Sequence, residues 1–225
     1  MAEDSLVGWG WSLGRGPYPC SGHAGAVRCA DARVGGCRGA LPGVNAVSSP
    51  VDLAIAVSSA DHVLGPAGAH ATVVEYGDFE CPTCRQAAPA VKLLLQRFSD
   101  QARFAYRHFP LEDPHPHALL AAEAAECAAS QGKFWEMHDL IFENQGHLEL
   151  ADLHGYARRL RLDMIRFAKE LEGHEHLHVV REHMEGGRRS HVRATPGFFV
   201  NGTIVDVSFG MRALFDATEA ALTGR

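Results

Sequence analysis

Apolar and polar positions fall into a clear order only in the later three quarters of the chain. From Ala71 the run "ATVVEYGDF" is apolar and β-branched and reaches Gly77, the pattern of a short buried strand. A helix is expected from Cys81, because Val91, Leu94, Leu95 and Phe98 share one helical face. "ARFAYRHF", from Ala102, reads as an alternating second strand. A long helical region follows. "HALLAAEAAECAAS" is rich in alanine, the best helix former. "KFWEMHDLIFENQ" offers Phe134, Trp135, Met137, Leu140 and Ile141 for burial, and "LELADLHGYARRLRL", "DMIRFAKELEG" and "HEHLHVVREHMEGGRRS" continue the region. Two strand-like runs, "GFFVNG" and "TIVDVSF", meet at Asn201-Gly202, a strong hairpin signal. A last amphipathic helix is expected from about Met211 to Leu222.

The early strand-helix-strand unit implies a parallel pair with a right-handed crossover. The late hairpin adds antiparallel strands. The helices between, at about 112–192, read as an insertion covering one side of a small mixed α/β sheet. Residues 1–60 are different. Ten of the first 45 are glycine, with Pro17, Pro19 and Pro42 among them and no sustained period, which is the composition of a flexible or disordered segment. Order is expected from Asp61 to the end, 61–225. Cys20, Cys29 and Cys37 fall in the early segment at a spacing that fits no usual zinc knuckle, so they are expected as unpaired thiols.

Composition narrows the function classes. At 225 residues, 46% hydrophobic and 21% charged, the chain has the make-up of a globular domain. The net charge of −6 argues against a nucleic-acid partner. No apolar stretch approaches the roughly 20 residues a bilayer span needs. The start "MAEDSL" is acidic where a secretory signal is basic, and Asp52 interrupts the signal-like "VDLAIAVSSA", so the expected location is cytoplasmic. Structural disulfides are rare there, and a C-x-x-C is more often catalytic or metal-binding.

"FECPTCRQ" carries that spacing at Cys81 and Cys84. Cys81 falls at a helix N-terminus, where free N–H groups and the helix dipole favour a thiolate, and Cys84 lies one turn on, within bridging reach. Pro82 suits a first turn, because its missing N–H has no partner to lose. A zinc site needs two further ligands, and no second C-x-x-C exists. Cys127 stands alone in its alanine-rich helix as a small buried thiol, although His108, His115 and His117 are available. A redox couple is the leading reading, against zinc and a plain crosslink. His174, His176, His178, His183 and His191 read as a solvated polar face, with His174 and His178 as helical neighbours; no metal is expected there.

From about Asp61 the chain resembles DsbA-like thioredoxin-fold proteins, thiol-disulfide oxidoreductases with a helical insertion in the thioredoxin motif. "VVEYGDFECPTC" is similar to the family's strand, turn and cysteine pair. Glu75 matches its buried acid, Pro89 the proline of the active-site helix, and "RATPGFFVNG" the loop whose proline faces the cysteines. "RHFPL" with "HPHA" and "FWEMHDLIF" resemble stand-alone or antiporter-fused members. The resemblance implies catalytic roles for Cys81, Cys84, Glu75, Thr195 and Pro196, with a cis bond before Pro196. It implies substrate contacts at Phe79, Pro82, Thr83 and Thr195.

Bland alternatives stand beside these roles. Glu75 also reads as an ion-paired core acid, and Tyr76, Phe198, Phe199 and even Phe79 as plain core. The Pro82-Thr83 dipeptide lacks the histidine of strongly oxidising members, so a less oxidising couple is expected. Glu80, beside Cys81, is expected to push its thiol pKa upward. The resemblance implies exchange with protein or peptide thiols and disulfides, an external redox partner and no cofactor. A redox-sensing or regulatory binding domain is the alternative.

Overall fold

The computed structural model describes residues 52–224. Residues 1–51, with Cys20, Cys29 and Cys37 and most of the segment expected to be flexible, lie outside the described residues. The strands are β1 (His62–Leu64), β2 (Ala71–Gly77), β3 (Ala102–His108), β4 (Gly197–Val200) and β5 (Thr203–Val205). Helix α1 (Pro82–Arg97) joins β2 to β3. Between β3 and β4 stand α2 (Ala118–Ala129), α3 (Phe134–Glu143), α4 (Leu150–Arg159), α5 (Met164–Glu172) and α6 (Leu177–Arg189), and α7 (Arg212–Thr223) closes the chain. The sheet order is β1-β3-β2-β4-β5. β2 and β3 run parallel, and the other pairings are antiparallel. This is an α/β thioredoxin fold with a mixed sheet and a helical insertion.

The register fixes what meets what. Glu75 pairs with Tyr106 of β3 and with Phe198 of β4, and Gly77 pairs with His108, so these side chains share one sheet face. Phe134, His138 and Phe142 of α3 pack against Tyr106 on that face. Tyr76 and Arg107 point to the other face, where α6 lies very close. A Cβ on Gly187 would stand 2.6 Å from the Phe109 ring and 3.0 Å from Tyr76, so only glycine admits this approach. The β4–β5 turn uses Asn201 (φ 46°) and Gly202 (φ 86°), and the Asn201 side chain binds Thr72 N and His70 O.

The sequence differs from the structure in three places. Packed chain begins by Asp52, not Asp61. Leu53 N donates to Gly202 O, Ile204 N donates to Asp52 Oδ2, and Ala54 N donates to Ser190 Oγ. β3 does not alternate. Only Arg103 among its residues escapes full burial, and Arg107 is buried through an ion pair with Asp61 at 2.6 Å and bonds to the Ile55 and Ala56 carbonyls and Tyr76 Oη. The histidine-rich stretch is only in part a solvated face: His174, His178 and His191 are exposed, but His176 and His183 are not. His174 pairs with buried Glu123 at 2.9 Å, and His176 with buried Glu170 at 3.1 Å. His174 precedes α6 with φ 50°, so it shares no helical face with His178. Burial, with His108 beside it, holds His183 down at about 3, and its neutral Nδ1 accepts from His108 N. Among the described residues, no helix is long and apolar enough to cross a membrane.

Candidate active site

β2 ends at Gly77, the turn Asp78–Glu80 follows, and Cys81 caps α1 with extended backbone. Pro82 occupies the first turn, and Pro89 lies inside the helix. The two thiols are free and unequal. Cys81 is 6% exposed and is followed by exposed Pro82 and Thr83, whereas Cys84 is fully buried. The Cys81 sulfur lies 3.0 Å from Thr83 Oγ1 and 3.4 Å from Thr195 O. Thr83 Oγ1 also donates to Thr195 O at 3.0 Å. The Thr195–Pro196 bond is cis, and the loop before β4 places the Thr195 carbonyl at the sulfur.

These contacts separate the two acidities. A hydrogen bond from the Cys84 thiol outweighs burial, helped by Thr195 and Thr83, and lowers the Cys81 thiol to about 4. Burial, its donation to Cys81, and the charges of Glu75 and Cys81 push Cys84 well above the ordinary thiol range. Glu75 lies beneath them, 3% exposed, with Oε1 lacking a hydrogen-bond partner among the described residues. Burial first, and then the Cys81 charge, raise it to about 8. No cation pairs with it, so the ion-paired reading of Glu75 does not hold among the described residues. The constellation is a nucleophile that is charged at neutral pH, a shielded second thiol, and a carboxyl able to hold or release a proton there.

The turn is held by residues that the sequence did not single out for it. Buried Asp78 accepts from Glu80 N at 2.8 Å, from Leu111 N at 2.8 Å and from His115 Nδ1 at 2.7 Å. Burial opposes the His115 cation, but Asp78 outweighs it and raises the imidazole pKa. The Gln145 amide donates to Phe79 O at 2.9 Å and to Cys81 O at 2.7 Å. Leu111, His115 and Gln145 lie 33 to 66 residues from the groups they bind, and no local pattern marks them. The Glu80 carboxylate binds His117 N at 2.7 Å and His117 Nδ1 at 3.0 Å.

Phe79 is not a substrate contact. It is 1% exposed and packs on Tyr106, His108, His138 and Phe142. Thr83 and Thr195 do meet the Cys81 sulfur, with Pro82 and Pro196 their neighbours in the chain. Two clusters have ligand types for a metal. In one, His62 Nε2 and His108 Nε2 converge on Glu126 Oε1 at 2.8 and 2.7 Å, which is hydrogen-bond spacing. Buried His108 Nδ1 has no partner among the described residues, so the outer bond that orients a metal-ligating histidine is missing. In the other, Cys127 is raised to about 12, chiefly by burial, and Glu170 already binds Arg166, Ser130 and His176. Both fit hydrogen-bond networks better than metal centres.

Comparison with known proteins agrees with this geometry. The thioredoxin family model matches residues 58–217. Among curated relatives, a Na(+)/H(+) antiporter NhaA 1 of Salinispora arenicola is 50% identical over 175 residues, 77% of this chain and 27% of the relative. Another NhaA 1, of Mycolicibacterium vanbaalenii, is 41% identical over 162 residues, 71% of this chain and 26% of the relative. The chain thus spans about a quarter of the length of the curated relatives it matches. Among solved structures, a thioredoxin-like oxidoreductase of Silicibacter pomeroyi is 27% identical with a TM-score of 0.65, over 73% of this chain and 93% of that one. Oxidised BdbD of Bacillus subtilis, 22% identical with a TM-score of 0.66, covers 72% and 92% and shares the fold.

Proposed function

The chain belongs to the thioredoxin family, with a DsbA-like fold, and from that premise we propose that it is a thiol-disulfide oxidoreductase acting on protein or peptide thiols through Cys81 and Cys84. The observation that carries this reading is the opposed acidity of the two thiols, with Glu75 between the two extremes.

In the oxidising direction a substrate thiolate attacks the Cys81 sulfur of a Cys81–Cys84 disulfide. The S–S bond breaks, and its electron pair leaves on the Cys84 sulfur. Glu75, protonated below about pH 8, supplies the proton that makes this a thiol. A second substrate thiolate then attacks the substrate sulfur of the mixed disulfide, and Cys81 leaves as a stable thiolate. The substrate is oxidised by two electrons and the pair is reduced. An external disulfide or thiol oxidase resets it, and no cofactor beyond the pair takes part.

The high acidity of Cys81 favours the reduced pair, which makes the couple an oxidant. Thr83 supplies its hydroxyl in place of a histidine charge, and the hydrogen bond from the Cys84 thiol adds to it.

The names of the curated relatives favour a second reading, in which the domain regulates an associated antiporter and exchange is incidental. A reduced two-cysteine peptide with excess glutathione disulfide as terminal oxidant separates the two. An oxidoreductase forms many peptide disulfides per protein molecule above the uncatalysed rate. A regulatory domain forms about one and stops.

A further inference from the structure

One buried polar group on the cysteine side of the sheet is not used by the mechanism above. Tyr106 is fully buried, and its Oη has no hydrogen-bond partner among the described residues. A buried hydroxyl left unpaired is costly, and a tyrosine that only fills a core is replaceable by phenylalanine at no loss. Its surroundings show what the hydroxyl addresses. Tyr106 is the register partner of Glu75, so the two side chains stand side by side on one face. Glu75 Oε1 is likewise buried and unpartnered.

The ring leans toward the cysteine end of β2. A Cβ on Gly77 would lie 2.4 Å from Tyr106 Cε2 and 2.8 Å from its Oη, so the bare Gly77 backbone is what leaves room for the hydroxyl. The next residue, Asp78, donates its N–H to Cys84 Sγ at 3.5 Å. The hydroxyl therefore lies at the cysteine end of this face, close enough to feel the charges of Cys84 and Glu75 but hydrogen-bonded to neither in this state. The remaining neighbours are spoken for or apolar. On β3 and α3, His108 is tied to Glu126 and His138 to Asp139. In the turn, Asp78 is filled by Glu80 N, Leu111 N and His115. Phe79, Phe134 and Phe142 complete the wall, and Cys81 lies beyond Cys84.

We propose that Tyr106 is a positioning residue whose hydroxyl donates to whichever of Glu75 or Cys84 carries the negative charge, holding the shared proton on the path between them. The inference rests on the exchange reading above. The phenol does not ionise: burial first, and then the charges of Cys84 and Glu75, push it well above the ordinary tyrosine range. It stabilises the anion on either side of one transfer, from Cys84 S–H to the Glu75 carboxylate as Cys84 attacks, and back as Cys84 leaves. No proton or electron is lost in the exchange.

The test uses 5,5′-dithiobis(2-nitrobenzoate) on the full chain carrying Cys20→Ser, Cys29→Ser and Cys37→Ser. Cys81 attacks the reagent and releases one thionitrobenzoate, and Cys84 then attacks the mixed disulfide and releases a second. Stopped-flow absorbance from pH 5 to 9 resolves the two phases. In Tyr106→Phe the second phase is expected to slow about tenfold at pH 7, with its midpoint moved up by about one pH unit, as for the loss of one hydrogen bond to a charge. An unchanged second phase, or slowing by the same factor at every pH, overturns the inference, because a packing role does not move a midpoint. A fall in thermal midpoint of Tyr106→Phe also overturns it, since the hydroxyl would then hold the fold. Absence of a second phase in the parent protein is a different failure, and overturns the exchange reading itself.

Discussion

The hydroxyl oxygen of Thr83 stands 3.0 Å from the Cys81 sulfur and 3.0 Å from the Thr195 carbonyl, and it has one proton to give. With Cys81 as a thiol, that proton goes to Thr195 O. With Cys81 as a thiolate, the hydroxyl turns to the sulfur, so the contact favours the anion. Thr83→Ala is expected to raise the Cys81 midpoint by about one pH unit, and Thr83→Ser to leave it near the parent value. The pH dependence of iodoacetamide alkylation measures this. Equal midpoints in Thr83→Ala and the parent would show that the contact does not stabilise the thiolate.

Glu75 makes stability depend on pH with a known sign. Its folded pKa of about 8 lies above the ordinary 4.5, so the native state holds the proton more tightly than the unfolded chain. Its contribution is fully present below about pH 4.5 and is lost as pH rises to about 8. Glu75→Gln does not titrate, so its stability relative to the parent is expected to grow by on the order of 3 kcal/mol from pH 5 to 8.5. Urea denaturation of the reduced proteins at several pH values checks this. A difference that is flat with pH places the carboxyl in an ordinary environment.

Arg107 pins the start of the folded domain. Its guanidinium joins buried Asp61 and the carbonyls of Ile55 and Ala56. Arg107→Met leaves the Asp61 charge buried and alone, and is expected to cost about 3–5 kcal/mol. A chain starting at Ser59 loses both carbonyls and the Leu53 side chain, and should be less stable by about 2 kcal/mol than one starting at Asp52. Chemical denaturation of the two truncated chains decides where the folded domain starts. Equal midpoints would restore the boundary near Asp61.

What the sequence made legible was local. The strand through Tyr76, the glycine turn and the cysteine at the helix start follow one another within a dozen residues, so pattern and capping chemistry suffice. The Asn201-Gly202 turn is of the same kind, since two positive φ angles favour those residues. What stayed hidden depends on distant partners. β1 has three residues and becomes a strand only by pairing with β3. Arg107 looks like an outward position until Asp61 and the 52–60 segment cover it. His174, His176 and His183 look unpartnered until the buried acids Glu123 and Glu170 and the backbone of His108 come beside them, whereas His178 and His191 stay exposed as the pattern suggests. Gln145 and Tyr106 sit in helix-end and strand patterns that any core shares. Their place at the site appears only with the register.

The central claim is that Cys81 attacks and Cys84 resolves, and trapping with a substrate tests it most directly. In the full chain without Cys20, Cys29 and Cys37, Cys84→Ser and Cys81→Ser are each incubated with a disulfide-bonded peptide, and covalent complexes are read by intact mass. Cys84→Ser is expected to accumulate a mixed disulfide that dissolves on adding dithiothreitol, because the acidic thiol beside the exposed Pro82 and Thr83 remains and the resolving one is gone. Cys81→Ser is expected to trap nothing, because the remaining thiol is fully buried and weakly acidic. Trapping by Cys81→Ser alone, or by both variants at equal rates, would contradict the account.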